Sequence, residues 1–310
     1  MNKILITGAA GFIPSSLADE LIKDKNNFVV GIDNFLTGKK NNIPQTENFK
    51  FIKADANSWE DLSAIMLAYQ FDYVFHYAAV VGVKRTLENP LLVLDDINGI
   101  KNILHLSKNT GVKRFYFSSS SEVYGEPVEI PQNEHTTPLN SKLPYAIVKN
   151  VAEAFIKSYN QEHGLNYTIF RFFNTYGPKQ STDFVLSKFI RAALKNEDIT
   201  IYGDGMQTRT FCYIDDNIES TIKSFTDASS LNQVINLGSD SELTILELAN
   251  QVIKSTGSQS KIVHLPPLKE GDMQRRCPDN TKMRELLKRD LLLLEEGIKK
   301  TIEVKKKEYA

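Results

Sequence analysis

With 310 residues, 41% of them hydrophobic and 24% charged, and a formal net charge of −1, the chain is long enough to bury a large core as one big domain or up to two smaller ones. No tail or block concentrates lysine and arginine, which excludes a broad nucleic-acid footprint; Lys305, Lys306 and Lys307 read as a solvated helix end, where cations suit the helix dipole. Cys212 and Cys277 offer neither a disulfide framework nor a metal-ligand spacing and read as buried small hydrophobes, and with no leader and no apolar stretch of bilayer length the default is a cytoplasmic protein without a membrane partner.

Residues 3–7 form a short apolar run ending in Gly8, and a helical pattern follows in Leu17, Leu21 and Ile22. A second apolar run, residues 28–32, ends at Asp33. Strand, glycine-rich turn, helix, strand and acid make the opening unit of a dinucleotide-binding sheet. Further strands are expected at 49–54, 73–76, 114–118 and 168–172, separated by helices near 62–69, 91–108 and 146–163. Buried parallel strands joined by helices specify an α/β fold with a doubly wound parallel Rossmann sheet. Beyond Tyr176 the pattern loosens. A helix is expected at 184–194, a turn at 202–205, a strand at 234–237, and a helix at 244–255 whose Thr244 and Glu247 have capping-box spacing. Short helices near 281–287 and 295–302 finish the chain. The expected division is a dinucleotide-binding domain at 1–176, to which 211–238 returns, and a smaller C-terminal substrate-binding lobe from 177–210 and 239–310.

Gly8, Gly11 and Pro14 occupy the places of a GxxGxxG fingerprint. Gly8 permits a tight exit from the strand, and Gly11 lets the backbone approach a pyrophosphate met by a helix N-terminus. Pro14 departs from that pattern, but a first helical turn tolerates proline because the missing amide has no intrahelical partner there. Asp33 stands where a carboxylate binds ribose hydroxyls and repels a 2′-phosphate, which selects NAD over NADP; Lys39 and Lys40 are the nearby cations that would argue otherwise. Phe12, Ile13 and Asn34 flank these positions, Asp55 is a candidate for the adenine edge, and Ala78 and Ala79 are small enough to let a cofactor pass.

Tyr145 and Lys149 lie one helical turn apart. A phenolate can take the proton of an alcohol while hydride leaves, provided that a neighbouring ammonium lowers its pKa from about 10; Lys149 is placed to do this and to bind the nicotinamide ribose. Ser118 to Ser121 follow a strand end. Ser120 is the preferred hydroxyl for the reacting oxygen, with Ser119 and Ser121 as neighbours one residue away. Glu122 reads equally as an acid/base group and as a cap. Arg209, Arg275 and Arg276 suit a diphosphate. His76, His105, His135, His163 and His264 form no ligand cluster, so no metal is required.

With GAAGFIP, DNFLTGKK, SSEVYG, YAIVK, RFFNTYGP, YGDGMQTRTFCYIDD, NLGS, TILELA and RRCPDNTK in place, the chain resembles, over nearly its full length, the extended short-chain dehydrogenase/reductase family acting on nucleotide sugars, and among its branches the UDP-glucuronate decarboxylases most. The resemblance implies NAD oxidising a UDP or GDP sugar at C4, with Tyr145 as base, Lys149 on the ribose, Ser120 on the hydroxyl and Glu122 as acid/base in some branches. It further implies Asn174 and Arg275 on the substrate diphosphate, Tyr202 and Arg209 in the nucleotide site, Arg276 near the sugar, and a homodimer paired through the helices holding residues 94–106 and 145–159. Val80 to Val83 replace the Ser-Pro-Pro run that decarboxylases carry after the fourth strand. The expected activity is therefore a C4 dehydrogenase or epimerase, with UDP-glucuronate decarboxylase, 4,6-dehydratase and a non-enzymatic NAD-binding regulator as alternatives.

Overall fold

The computed structural model describes residues 1–267 and 275–309. The chain divides into two compact units, one of Met1–Val123, Leu139–Phe172 and Ile218–Ile235, the other of Tyr124–Pro138, Phe173–Asn217 and Asn236–Ala310. Residues 124–138 and 173–176, included in the expected span 1–176, fall in the second unit.

In the first unit the chain runs β1 (Asn2–Thr7), α1 (Phe12–Leu21), β2 (Asn27–Asp33), β3 (Phe49–Lys53), α2 (Trp59–Tyr69), β4 (Tyr73–His76), α3 (Val83–Glu88), α4 (Pro90–Leu94), α5 (Asp96–Thr110), β5 (Arg114–Ser120), α6 (Pro144–His163) and β6 (Tyr167–Phe172). Onward come β7 (Thr175–Tyr176), α7 (Val185–Leu194), β8 (Ile199–Tyr202), β9 (Thr208–Thr210), β10 (Cys212–Tyr213), α8 (Ile214–Thr226), β11 (Gln233–Leu237), β12 (Glu242–Thr244), α9 (Ile245–Thr256), β13 (Ile262–Leu265), α10 (Thr281–Leu287) and α11 (Leu294–Tyr309).

Seven strands form the main sheet in the order β11-β6-β5-β4-β1-β2-β3. β1 pairs in parallel with β2 on one side and β4 on the other, so the strand order reverses at β1, the switch point where such sheets bind ligands. The inner strands are largely buried on both faces, and β6 is buried at every residue, whereas the edge strand β3 exposes Lys50 and Lys53. Ile4, Leu5, Ile6, Val29, Val30, Phe115 and Ile169 fill the layers between sheet and helices.

The helix ends follow local chemistry. Ser58 caps α2 through the Asp61 amide at 3.2 Å, and Pro144 opens α6 at the position that needs no amide. The capping box of α9 forms as expected: the Glu247 amide donates to Thr244 Oγ1 at 3.1 Å and the Thr244 amide to Glu247 Oε2 at 2.7 Å. The single helix expected over 91–108 is instead two, α4 and α5, which meet at Asp95. Lys305, expected in solvent, is buried with its amine on Glu308 at 2.6 Å, while Lys306 and Lys307 are exposed. Cys212 and Cys277 are buried and unpaired. Among the described residues no helix is long and apolar enough to cross a membrane.

One buried ion pair pins α6 to the sheet. Arg171 of β6 donates from Nε to Glu153 Oε1 at 2.9 Å and from Nη2 to Oε2 at 2.7 Å, and the Ser119 hydroxyl adds a third bond to Oε1 at 2.6 Å. Both charged side chains are 1% exposed. Removing one partner strands the other charge in the core, so Glu153→Ala should lower unfolding stability by about 3–5 kcal/mol. Urea denaturation checks this, and the paired replacement Glu153→Leu with Arg171→Met should cost less than either single change.

Candidate active site

Gly8 leaves β1 with φ of 72°, and a Cβ there would stand 2.9 Å from the Ala78 Cα. Both the left-handed backbone and the close approach of the chain after β4 demand glycine. The Ala9 amide donates to the Ile32 carbonyl at 2.9 Å and the Gly11 amide to the Gly8 carbonyl at 2.8 Å, which folds the turn back onto β2. Gly11 is the N-cap of α1, and Phe12 and Ile13 supply first-turn amides that have no intrahelical acceptor. This cradle and the positive end of the helix dipole fit a pyrophosphate. Pro14 is buried in that same turn without breaking it, for the first bond from a residue beyond it runs from the Ser15 amide to the Gly11 carbonyl at 3.2 Å.

Asp33 closes β2. Its Oδ2 accepts from the Ala10 amide at 3.0 Å and its Oδ1 from the Phe35 amide at 2.7 Å. Burial pushes this carboxyl above the usual range while the two amides pull it down. Each oxygen keeps further acceptor capacity for a ribose hydroxyl. Gly38 makes room beside it: a Cβ at that position would lie 2.8 Å from Asp33 Oδ1. Asn34 Nδ2 donates to Asp55 Oδ2 at 3.1 Å, and the Asn57 amide donates to Asp55 Oδ1 at 2.8 Å, so the candidates for the adenosine end are joined to one another.

Ala78 is held by a group that sequence reasoning missed. Thr7 Oγ1 accepts from the amides of Tyr77 at 3.1 Å and Ala78 at 3.0 Å, and lies 2.9 Å from His76 Nδ1. With two amides already donating to it, the Thr7 hydroxyl gives its own proton to Nδ1. His76 is therefore neutral; burial first, then the charge of Lys149, pushes its pKa down to about 3.

Tyr145 and Lys149 lie in the first turns of α6, where Val148 and Lys149 are buried. The Ser120 side chain is the neighbouring hydroxyl that pulls the Tyr145 phenol pKa down. Ser120 Oγ also accepts from the Glu122 amide at 3.2 Å. Ser119 and Ser121 are each 2% exposed. The Ser119 hydroxyl is committed to Glu153, because successive residues of β5 face opposite sides of the sheet. Lys149 is 3% exposed; its ammonium donates to the Ser118 carbonyl at 2.6 Å and lies 4.7 Å from the Phe117 ring centroid and 5.7 Å from that of Tyr145. Burial pushes Lys149 down to about 8, against the opposing pull of Asp96 and Glu153. The Tyr145 phenol is pushed up, first by burial and then by the charge of Glu122, and the Ser120 side chain only partly offsets this. The lowering expected from Lys149 is not among the influences on the phenol, which stands raised.

The remaining candidates belong to the second unit. Asn174 has φ of 25° and donates to the Thr210 carbonyl at 3.0 Å. Arg209, on β9 opposite Leu243, donates to the Thr208 carbonyl at 2.8 Å. Arg275 forks onto Glu242 with bonds of 2.7 and 2.6 Å, and that guanidinium is the main reason why the Glu242 carboxyl is held low. The pair is open to solvent and therefore weak enough to be exchanged for phosphate oxygens. Tyr202 is exposed at the end of β8 with the Lys188 amine 5.7 Å from its ring centroid, and Arg276 is buried. Val80 is buried and Val81 and Gly82 are half-buried, whereas the side chain of Val83 lies outside the described residues. Among the described residues no group of three or more His, Cys, Asp or Glu side chains is placed to hold a metal.

A doubly wound parallel sheet with a glycine cradle at its switch point and a buried lysine one turn from a tyrosine defines a dinucleotide-dependent oxidoreductase. The chain belongs to the NAD dependent epimerase/dehydratase family, whose pattern matches residues 4–238. It is 39% identical to the UDP-N-acetyl-alpha-D-glucosaminuronate decarboxylase of Bacillus cytotoxicus, over 97% of each chain. It is 36% identical to UDP-glucuronic acid decarboxylase 1 of Danio rerio, over 97% of this chain and 72% of that one. Among solved structures it is similar to the UDP-glucose 4-epimerase of Thermotoga maritima determined with UDP-glucose, at a TM-score of 0.93 and 33% identity over 99% of this chain and 100% of that one. It is an NAD-dependent enzyme acting at C4 of a nucleotide-diphosphate sugar.

Two outcomes follow from this geometry. Gly8→Ala should weaken NAD binding by at least about tenfold, since the left-handed backbone alone costs about 1–2 kcal/mol before the contact with Ala78 is counted; isothermal titration with NAD reads it. Because the Lys149 ammonium is lost as pH rises through about 8, NAD affinity should fall across that interval in the parent protein and stay flat in Lys149→Met. A parallel fall in both would remove the ammonium from the explanation.

Proposed function

We propose that this chain is a UDP-uronate decarboxylase, taking UDP-glucuronate or its 2-acetamido counterpart to a UDP-pentose through a 4-keto intermediate. The observation that carries the reading is the similarity to the Bacillus cytotoxicus decarboxylase along 97% of both chains, exceeding that to the decarboxylase from Danio rerio. It favours decarboxylation over the C4 dehydrogenase or epimerase expected from the residues 80–83, and that departure becomes a matter of which sugar is accepted. Apolar Val80 and Val81 suit an acetamido methyl better than a hydroxyl would.

The roles are assigned as follows. NAD supplies the hydride acceptor at C4 and returns the hydride at the end of the cycle. Tyr145 takes the C4 hydroxyl proton, Ser120 holds that oxygen, and Lys149 supplies the positive charge that favours the phenolate and binds the cofactor ribose. Once C4 is a ketone it lies beta to the C6 carboxylate, so the C5–C6 bond breaks with loss of carbon dioxide and the electrons pass to the C4 oxygen beside Tyr145 and Ser120. A proton then returns to C5, for which Glu122 is the candidate donor, and Tyr145 gives its proton back to the C4 oxygen. Gly8, Gly11, Phe12, Ile13, Asp33, Asn34, Asp55, Ala78 and Ala79 hold NAD; Asn174, Tyr202, Arg209, Arg275 and Arg276 hold the nucleotide diphosphate and the uronate.

The proposal includes a homodimer and a cytoplasmic location. Leu91 and Leu94 of α4 and Ile147 of α6 are exposed, and α4 packs against α6, an apolar surface suited to a second copy. The unpaired thiols of Cys212 and Cys277 agree with a reducing compartment.

A second reading, UDP-sugar 4-epimerase, rests on the Thermotoga maritima similarity. Mass spectrometry of reactions with UDP-glucuronate and UDP-N-acetylglucosaminuronate, with released carbon dioxide trapped, separates the two. Loss of carbon dioxide is expected; a product that keeps its carboxylate and inverts C4 would assign the epimerase instead, and no conversion of any UDP or GDP sugar, with no transient reduction of NAD, would restore the non-enzymatic regulator. Tyr145→Phe should lower turnover by about a thousandfold while nucleotide binding persists, and unchanged turnover would remove Tyr145 as the base.

A further inference from the structure

The first unit contains three arginines, Arg85, Arg114 and Arg171. Two of them are fully engaged. Arg171 is forked onto Glu153 in the core, and Arg114, at the start of β5, spends its guanidinium on Thr168, on the Ser224 carbonyl at 3.0 Å and on Ser230 Oγ at 3.2 Å. Arg85 is different. It is half-buried on α3, and its Nη1 donates to the Val81 carbonyl at 2.7 Å. That bond uses one of five N–H groups, and among the described residues the guanidinium has no other acceptor and no carboxylate partner. It lies against the turn after β4, for a Cβ on Gly82 would stand 3.4 Å from Nη1. The same turn is fixed from α5, where Asp96 Oδ2 accepts from the Val80 amide at 2.9 Å. Val81 follows Ala78 by three residues, and Ala78 is the residue against which Gly8 of the cofactor cradle packs. Arg85 is therefore a cation with donors to spare at the carboxyl edge of the sheet, beside the crevice where open α/β sheets take their ligands.

Three anionic groups come to such a site: the cofactor pyrophosphate, the substrate diphosphate and a carboxylate on C6 of the sugar. The pyrophosphate is met by the turn from Gly8 to Gly11 and the start of α1, and the diphosphate is assigned above to residues of the second unit. The carboxylate is joined to C5, the neighbour of the carbon that loses hydride, so it must lie close to the nicotinamide. Lys149, the other cation there, is committed to the Ser118 carbonyl and assigned to the ribose. We propose that Arg85 is a specificity-determining residue that receives the C6 carboxylate of a UDP-uronate, its unused N–H groups making the paired bonds that a planar carboxylate takes from a guanidinium. The proposal rests on the decarboxylase reading and deepens it. The bond to Val81 holds the guanidinium in place before the sugar arrives, so that less freedom is lost on binding. Arg85 serves binding more than bond breaking. As the C5–C6 bond opens, the negative charge passes to the C4 oxygen and the carboxylate becomes neutral carbon dioxide, which a guanidinium no longer holds. Its loss therefore falls on KM rather than on kcat.

The test uses the full chain with NAD and with Tyr145→Phe, so that sugars bind without being converted. UDP-glucuronate is titrated against UDP-glucose, and UDP-N-acetylglucosaminuronate against UDP-N-acetylglucosamine; each pair differs only in the group at C6. Arg85→Gln keeps a donor for the Val81 carbonyl and removes the charge. The uronate of the preferred pair should bind at least about tenfold more weakly, while its neutral counterpart and NAD change by less than about twofold. Equal weakening of both sugars would place Arg85 on the diphosphate, and a loss of NAD affinity would make it a support of the turn or the pyrophosphate. Either result, or unchanged binding of the uronate, would overturn the proposal. With Tyr145 intact, Arg85→Gln should raise KM for the uronate by a similar factor and lower kcat far less; the opposite split would count against it equally. Arg85→Lys keeps the charge without the fork and should retain a preference for the uronate that is several-fold smaller than the parent's. A preference equal to the parent's would overturn the proposal even if Arg85→Gln does not fold. If the parent binds both members of each pair alike and releases no carbon dioxide, the decarboxylase reading has failed and this proposal with it; if it releases carbon dioxide while Arg85→Gln keeps the full preference, only the role of Arg85 has failed.

Discussion

The contact on which the active site depends is the parallel pairing of β1 with β4 and the meeting of their ends. Ile4 stands beside Tyr73 and Thr7 beside His76, so two stretches separated by more than sixty residues of sequence arrive at one place. The strand order reverses there, and a crevice follows from that reversal alone. Gly8 and Ala78 come so close that no side chain could be added at Gly8 without moving the other chain. Thr7 fixes the spacing, because a single hydroxyl oxygen takes two amides from the opposite strand end and orients the imidazole beyond them.

That fixed crevice makes a buried ammonium tolerable. Lys149 has given up nearly all of its hydration, and a carbonyl, an aromatic face and the fields of two acids replace it. Taking a charge out of water costs several kcal/mol, and the compensation is incomplete, as the lowered pKa of Lys149 records. The incompleteness is chemically useful. A lysine that holds its proton only below about pH 8 responds strongly to any added or withdrawn charge nearby, and its neighbour Tyr145, pushed the other way, needs positive charge to become a base at all.

Much of this was legible in the sequence because short-range spacing carried it. Gly8, Gly11 and Asp33 are fixed by the strand-turn-helix-strand pattern, Tyr145 and Lys149 by one turn of helix, Thr244 and Glu247 by capping geometry. Ser120 could be preferred over Ser119 only loosely, since a shift of one residue exchanges the faces of β5; in the structure the Ser119 hydroxyl is taken by Glu153, while Ser120 Oγ accepts from the Glu122 amide. What was not legible are the partners that meet across long separations. Thr7 and His76 look like an ordinary strand end and an unclustered histidine. Asp96 looks like one of two acids at a helix start, and Glu153 like one more charge on an amphipathic helix, until Arg171 is seen opposite it. Lys305 misled for the same reason, because a basic run suggests solvent and only the packing of α11 shows otherwise.

The division between what is shared and what is particular follows the same line. In the proposed reaction, hydride removal at C4 uses the crevice, the ammonium and the phenol, held by the sheet and by α6, and these are the parts that the sequence spells out. The backbone after β4, where Val80, Val81 and Gly82 stand in place of the proline-bearing run of the resemblance, is the part that the sequence marks as particular to this chain. Gly82 adopts a φ of 103°, which an L side chain rarely takes, and among the described residues the nearest atom to where its Cβ would be is Arg85 Nη1 at 3.4 Å; the backbone conformation calls for glycine there. A turn with such a backbone needs an external anchor to hold one shape, and the Val80 amide finds it in Asp96.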